Sequence, residues 1–321
     1  MQRFASLLIL LLALSVSTAQ GQNPRTAEEY NNRGLERQSK GDIDGAISDY
    51  DKAIALKSKP VILATAYNNR ANARMSKGDT EGAIADYSKA IETQPTDFEN
   101  YYNRGVARLS KGDNDGAIAD FNVAIERFPN LPPGFNNRGN ARRAKGDIEG
   151  ALADYNKALE LNPTYSEAYY NRGILRQGKG ELDSAISDFS KALELNPQMV
   201  DAYFNRGVVR QSKGALDAAI ADYSITIELN PTDAGAYVSR ATARQAKNDL
   251  SGADADYTKA IELDPNSAQA YANRGVVRLL QGREAEADRD FEKGFQLDSS
   301  LRASLEKFIV ETKRQRRKGK P

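Results

Sequence analysis

The sequence predicts an all-α fold, a stack of repeated helical hairpins, and three regularities predict it. The first is an arginine that recurs as Arg33, Arg70, Arg104, Arg138, Arg172, Arg206, Arg240 and Arg274. The first step between them is 37 residues and the next six are 34. The second is an aspartate 16 residues after each arginine: Asp49, Asp86, Asp120, Asp154, Asp188, Asp222, Asp256 and Asp290. The third is an alanine three residues before every such aspartate, as in Ala185, and a tyrosine or phenylalanine directly after it, as in Phe189. A fixed period of this length marks one supersecondary unit that buries its apolar face only against its neighbours.

Counting the marker arginine as position 7, the small residue at 8, alanine at 20, the aromatic at 24 and proline at 32 (Pro95 to Pro265) resemble the tetratricopeptide (TPR) consensus. The resemblance covers residues 27–301. It implies a right-handed α-α superhelix, a TPR solenoid of eight helix-turn-helix repeats plus a C-terminal capping helix. The repeats are 27–63, 64–97, 98–131, 132–165, 166–199, 200–233, 234–267 and 268–301. Three residues inserted near 61–63 account for the longer first step.

Residues 1–19 read as a cleavable secretory signal. Arg3 supplies a basic start, Leu7 to Leu14 a short apolar run, and Ser17-Thr18-Ala19 small residues at a cleavage site. The apolar run is too short for the roughly 20 residues of a membrane span. Residues 20–26 form a polar lead-in. Within each unit, helix A is expected over positions 1 to about 14 and helix B over about 17 to 30. Lys-Gly or Lys-Asn closes helix A in seven units and Gln281-Gly282 in the eighth. The lysine suits the carbonyl end of the helix dipole, and glycine or asparagine accepts the left-handed turn. An acidic residue next, such as Asp113 or Glu181, is expected to cap helix B. Pro132-Pro133-Gly134 suggests a late start and a local irregularity in the fourth helix A. Residues 302–312 are expected to form the capping helix, its apolar face made by Leu301, Leu305, Phe308 and Ile309. Residues 313–321 are expected to be a basic disordered tail carrying Lys313, Arg314, Arg316, Arg317, Lys318 and Lys320.

Composition narrows the function. The formal charge is +1, which gives no overall case for nucleic acid. There is no cysteine and no histidine, hence no disulfide framework, no thiolate metal site and no general base of the usual kind. No phosphate-binding loop or unique polar cluster interrupts the repeats, so the expectation is a non-enzyme without cofactor or metal. The acidic turns, such as Gly112-Asp-Asn-Asp-Gly116, lack the spacing of a calcium loop and read as helix caps.

Four sets of residues remain. Arginine at 7 and aspartate at 23 read as a structural ion pair joining helices A and B, where the family usually carries a leucine-like residue at 7. A second arginine at position 11 (Arg37, Arg74, Arg108, Arg142, Arg176, Arg210, Arg244, Arg278) lies one turn on. Its expected partners are glutamate at position 29, such as Glu194, or the aromatic at 24, with a cationic ligand row as the other reading. The third set is asparagine at position 6: Asn32, Asn69, Asn103, Asn137, Asn171, Asn205 and Asn273, broken by Ser239. The resemblance implies that this position faces a concave groove, where carboxamides match the donors and acceptors of an extended backbone. Tyr102, Tyr170 and Phe204 at position 5 are the candidate anchors, with Asn72 and Asn140 at position 9. No lysine or arginine occupies positions 2, 5 or 6, so the family's clamp for acidic chaperone tails is absent. The fourth set is the basic tail, a candidate contact for anionic envelope polymer or lipid. The expected molecule is an exported scaffold, periplasmic or extracellular, monomeric or weakly self-associating, that holds a protein or extended peptide.

Overall fold

The computed structural model describes residues 24–318. The candidate signal, residues 1–19, and the last three residues lie outside that range. Among the described residues all regular structure is α-helical. The described residues divide into two compact units, 24–129 and 130–318.

The first unit holds three hairpins: α1 (Ala27–Ser39) with α2 (Ile43–Ala55), α3 (Pro60–Ser76) with α4 (Thr80–Thr93), and α5 (Phe98–Ser110) with α6 (Asn114–Arg127). The second holds five: α7 (Pro132–Ala144) with α8 (Ile148–Leu161), α9 (Ser166–Gly178) with α10 (Leu182–Leu195), α11 (Val200–Ser212) with α12 (Leu216–Leu229), α13 (Ala234–Ala246) with α14 (Leu250–Leu263), and α15 (Ala268–Gln281) with α16 (Glu284–Leu297). A last helix, α17, runs from Ser300 to Lys318.

In each hairpin helix A packs on helix B around the alanine at 20 and the aromatic at 24, both buried, as Ala185 and Phe189 are. Glycine at position 8 makes that approach close: a Cβ on Gly173 would sit 2.8 Å from the Phe189 ring. Within the second unit the A helices of successive repeats also touch (α7 with α9, α9 with α11, α11 with α13, α13 with α15), and in the first unit α1 touches α3. The A helices therefore line the inner side of each stack.

The A-to-B turn follows from its residues. Gly180 has φ +76° and Asn248, in the same place, +65°. Asp42, Asp79, Asp113, Asp147 and Asp249 then cap helix B, each carboxylate accepting from the amide three residues on. Glu181, expected to do the same, makes no cap bond: its side chain, one methylene longer, pairs with Lys179 at 3.3 Å instead.

Three boundaries differ from expectation. The inserted residues near 61–63 do not end the first repeat; they lengthen α3 by a turn at its start, with Pro60 in its first turn. The fourth helix A does not start late. Pro132 and Pro133 fill its first turn, where an amide proton has no partner within the helix. The capping helix does not stop at residue 312. It continues through Lys318, so residues 313–318 are not a disordered tail. Lys313 Nζ lies 2.5 Å from Asp288 Oδ1, and Arg316 donates to the Leu280 carbonyl at the end of α15. Leu305 and Ile309 pack on Phe291 and Leu279, but Phe308, expected beside them, is 38 % exposed.

Candidate functional site

The A/B interface of every repeat carries one polar network. In the fifth repeat Arg172 donates from Nε to Asp188 Oδ2 at 2.9 Å and from Nη2 to Oδ1 at 2.7 Å. The other seven pairs repeat this fork, with Nη2–Oδ1 distances of 2.6–2.7 Å. The aspartates are 0–4 % exposed. A bidentate pair of this kind fixes direction as well as distance.

The arginine at 7 does two further things. Its guanidinium lies 5.4–5.8 Å from the centre of the aromatic ring at position 4, from Tyr30 to Tyr271, in all eight repeats. Its Nη1 reaches helix B of the preceding repeat: Arg70 to Asp51 at 2.5 Å, Arg172 to Asn156 at 2.7 Å and Arg206 to Ser190 at 3.0 Å. One side chain thus ties three helices. Sequence reasoning missed the aromatic at 4, although a tyrosine or phenylalanine stands three residues before every marker.

The position-11 arginines do not pair with glutamate at 29 or stack on the ring at 24. Each puts Nη1 on the position-23 aspartate of its own repeat, for example Arg176 to Asp188 at 2.8 Å and Arg278 to Asp290 at 2.9 Å. One turn of helix places them beside the first arginine, over the same carboxylate. Glu92, Glu160, Glu194 and Glu262 pair with lysine on their own helix instead, Glu194 with Lys191 at 2.7 Å; the helices of Glu126 and Glu228 contain no lysine. Burial pushes the Asp49 carboxyl up, but Arg33, Arg37 and Lys52 outweigh it and hold it below the usual range. Asp254, between Arg283 and Arg278, is lowered against its own burial in the same way.

The aromatic at 24 obeys a local rule. Where it is tyrosine, its hydroxyl meets a polar side chain at position 9 or 12: Tyr50 with Gln38, Tyr87 with Asn72, Tyr155 with Asn140, Tyr223 with Gln211, Tyr257 with Gln245. Asn72 and Asn140 are therefore partners of the core. Phe121 and Phe291 instead face apolar residues at both positions, Val106 with Leu109 and Val276 with Leu279. The fifth repeat breaks the rule. Gln177 stands in a tyrosine's partner position before Phe189, and its Oε1 is buried without a hydrogen bond.

The inner face carries the asparagine row, and most of its amides have a neighbour. Asn69 Nδ2 donates to Asn31 Oδ1 at 2.9 Å, Asn103 to Asn68 at 3.3 Å, Asn171 to Asn136 at 2.9 Å and Asn205 to the Tyr170 hydroxyl at 3.2 Å. Position 6 of one repeat is thus clipped to position 5 of the repeat before it. Ser239 breaks the row where the preceding position 5 is Phe204, which has no acceptor to offer. Asn273 follows Val238, and its Oδ1 accepts from Gln269 at 2.8 Å. Asn32 is exposed and Asn137 half-buried.

The candidate anchors are half-buried rather than free. Tyr102, Tyr170 and Phe204 lean on Phe121, Phe189 and Tyr223 with ring centres 5.9, 5.9 and 5.7 Å apart. Of the tail residues, Lys313 and Arg316 have partners within the chain, and Arg314 is exposed.

No helix of the described residues is long and apolar enough to cross a membrane. Among those residues, no group of three or more acidic side chains is arranged to hold a metal ion.

The paired helices, the 34-residue period and the alanine–aromatic core define a class, and the chain belongs to the tetratricopeptide repeat family. Family models described as TPR repeat or tetratricopeptide repeat match residues 27–60, 71–112, 99–131, 139–180, 166–199 and 243–282, more than half of the chain. Among solved structures it is similar to a tetratricopeptide repeat protein from Parabacteroides merdae (TM-score 0.59, 20 % identity, covering 78 % of this chain and 98 % of that one). It is also similar to the C-terminal part of a TPR repeat-containing protein from Cytophaga hutchinsonii (0.58, 21 %, 75 % and 98 %) and to pilF of Pseudomonas aeruginosa (0.58, 18 %, 64 % and 94 %). These identities speak to the fold. Among curated proteins none matches.

Proposed function

We propose that the protein is a non-enzymatic scaffold, exported from the cytoplasm, that holds an extended polypeptide against its A helices. The observation that carries this is the clipped asparagine row. A clip uses one N–H of each carboxamide and fixes the plane of the group. The clipped amides then offer their carbonyl oxygens in set positions, and Asn69, Asn103 and Asn171 a second N–H each, while Asn205 gives its own to the Asp201 carbonyl; this lowers the ordering cost of gripping a backbone. Tyr170 and Phe204 flank the row and add apolar contact, the usual source of binding energy. The arginine–aspartate network of each repeat lies in the A/B interface, but Arg143 and Asp201 both act on Tyr170, so charged side chains also stand beside the row.

The clips make a simple truncation ambiguous. Asn171→Ala removes a hydrogen bond between repeats as well as a ligand group, so a loss of capture in that variant reports on both. The cleaner test is a random-sequence peptide library selected on residues 20–321, followed by hydrogen-exchange mass spectrometry with the best binder. Protection confined to the A helices supports the reading. Absence of enriched peptides, or protection on the B helices, contradicts it.

A further inference from the structure

The inner face is not uniform, and its irregularity falls where the asparagine row breaks. A depression of about 340 Å³ opens there between α11 and α13. Val208, Gln211, Ser212 and Tyr223 form one wall; Val238, Ser239 and Thr242 form the other. None of the seven is charged.

The preceding joint explains the opening. There the residues at positions 5 and 6 are Phe204 and Asn205; here they are Val238 and Ser239. Phe204 covers the Tyr223 ring of its own repeat, and Asn205 spans to Tyr170. Valine and serine are too short to do either, so the space an aromatic ring and a carboxamide would fill stays open. The polar groups around it are largely committed. Tyr223 donates to Gln211 Oε1 at 2.8 Å, Ser212 to the Val209 carbonyl at 2.8 Å and Thr242 to the Val238 carbonyl at 2.9 Å. What faces an occupant is two valines, the edge of a tyrosine, the Ser239 hydroxyl and the Gln211 side-chain amide.

We infer that this notch is the side-chain specificity pocket of the groove and takes one uncharged aliphatic side chain of the bound polypeptide. The inference rests on the groove reading above. An acidic or basic side chain would lose its hydration there without finding a counter-charge, whereas leucine or isoleucine gains apolar contact on both walls. The Gln211 amide N–H, its oxygen already taken by Tyr223, and the Ser239 hydroxyl are the groups available to the backbone of the same residue.

The test fills the notch with residues the protein already uses at these positions. The random-sequence library is selected in parallel on the wild-type chain, on Val238→Phe/Ser239→Asn, and on Ser239→Asn alone, each checked for an unchanged helical spectrum. On the wild type the enriched peptides should share a leucine, isoleucine or valine at one register position. On the filled variants that preference should disappear, and the best wild-type peptide should bind about tenfold more weakly to the double variant. The single variant keeps the test open if the double one folds poorly. The same aliphatic preference on wild type and filled variants overturns the pocket and leaves the groove standing. Enrichment on none of them overturns both.

Discussion

At the scale of single residues, the chain replaces an apolar contact between helices with charge. Two arginines and one aspartate occupy the A/B interface, and the desolvation of all three offsets much of their attraction. The network is therefore better understood as a device for geometry than as a store of stability, but breaking it has a clear cost. Asp188→Asn leaves Arg172 and Arg176 facing a neutral amide, and chemical denaturation should show a loss of about 3–5 kcal/mol. The opposite change is available one residue on. Phe189→Tyr places a hydroxyl beside the unbonded Gln177 Oε1, as Tyr223 does for Gln211. That variant should gain about 0.5–1.5 kcal/mol in the same measurement, and an unchanged or lower midpoint would refute the tyrosine–glutamine rule. Acid should act on the network in a defined direction. The Asp49 and Asp254 carboxyls titrate lower in the fold than in the unfolded chain. Their contribution is thus complete above the ordinary aspartate value of about 3.9 and is lost as pH falls through the lowered one. Melting temperature should hold from pH 7 to about 5 and drop below about 4; a drop centred near 6 would point to groups outside this network.

At the scale of the helix, most of the architecture was legible because it depends on spacing. The glycine after each Lys, the aspartate cap and the alanine–aromatic pair mark turn, start and core wherever they recur. The misreadings share a cause: they concern choices between partners, which spacing leaves open. Position 11 was readable as lying on the arginine face, but a carboxylate 12 residues away and a glutamate 18 away are both within reach until the hairpin angle is known. Glu181 looks like a cap in sequence and differs by a methylene in space. Pro132 looks disruptive until it is seen in the first turn. The turn itself makes a sharp prediction. Gly180 has no atoms near its missing Cβ, so only its φ of +76° resists substitution. Gly180→Ala should therefore lose about 1–2 kcal/mol, while Gly180→Asn, copying Asn248, should lose less. Equal losses would mean that packing, not backbone conformation, sets the requirement.

At the scale of the molecule, the division of labour between faces is the main result. An arginine–aspartate network lies between helices A and B, where it sets their angle and, within each unit, links successive repeats. The inner face carries carboxamides and aromatic edges, the charged Arg143 and Asp201 beside Tyr170, and an uncharged notch between α11 and α13. The site was legible only in part. The asparagine row stood out in the sequence, but its clips did not, because they join residues 35 or 38 apart across two repeats. The break at Ser239 read as an irregularity; that Phe204 before it offers no acceptor does not by itself account for it, since Asn273 follows Val238, which offers none either. The C-terminal helix belongs to the same scheme: Lys313 and Arg316 hold it to the last repeat, which sets those two basic groups to structural work.

The most direct measurement is site-specific photo-crosslinking with residues 20–321. A benzophenone amino acid is placed in turn at Asn205 on α11, at Glu194 on the exposed side of α10, and at Arg314 on α17, and each form is irradiated in an envelope extract. The account predicts one polypeptide partner captured strongly from Asn205, and little or none from Glu194 or Arg314. Capture of that partner mainly from α10 or α17, with Asn205 silent, would contradict it.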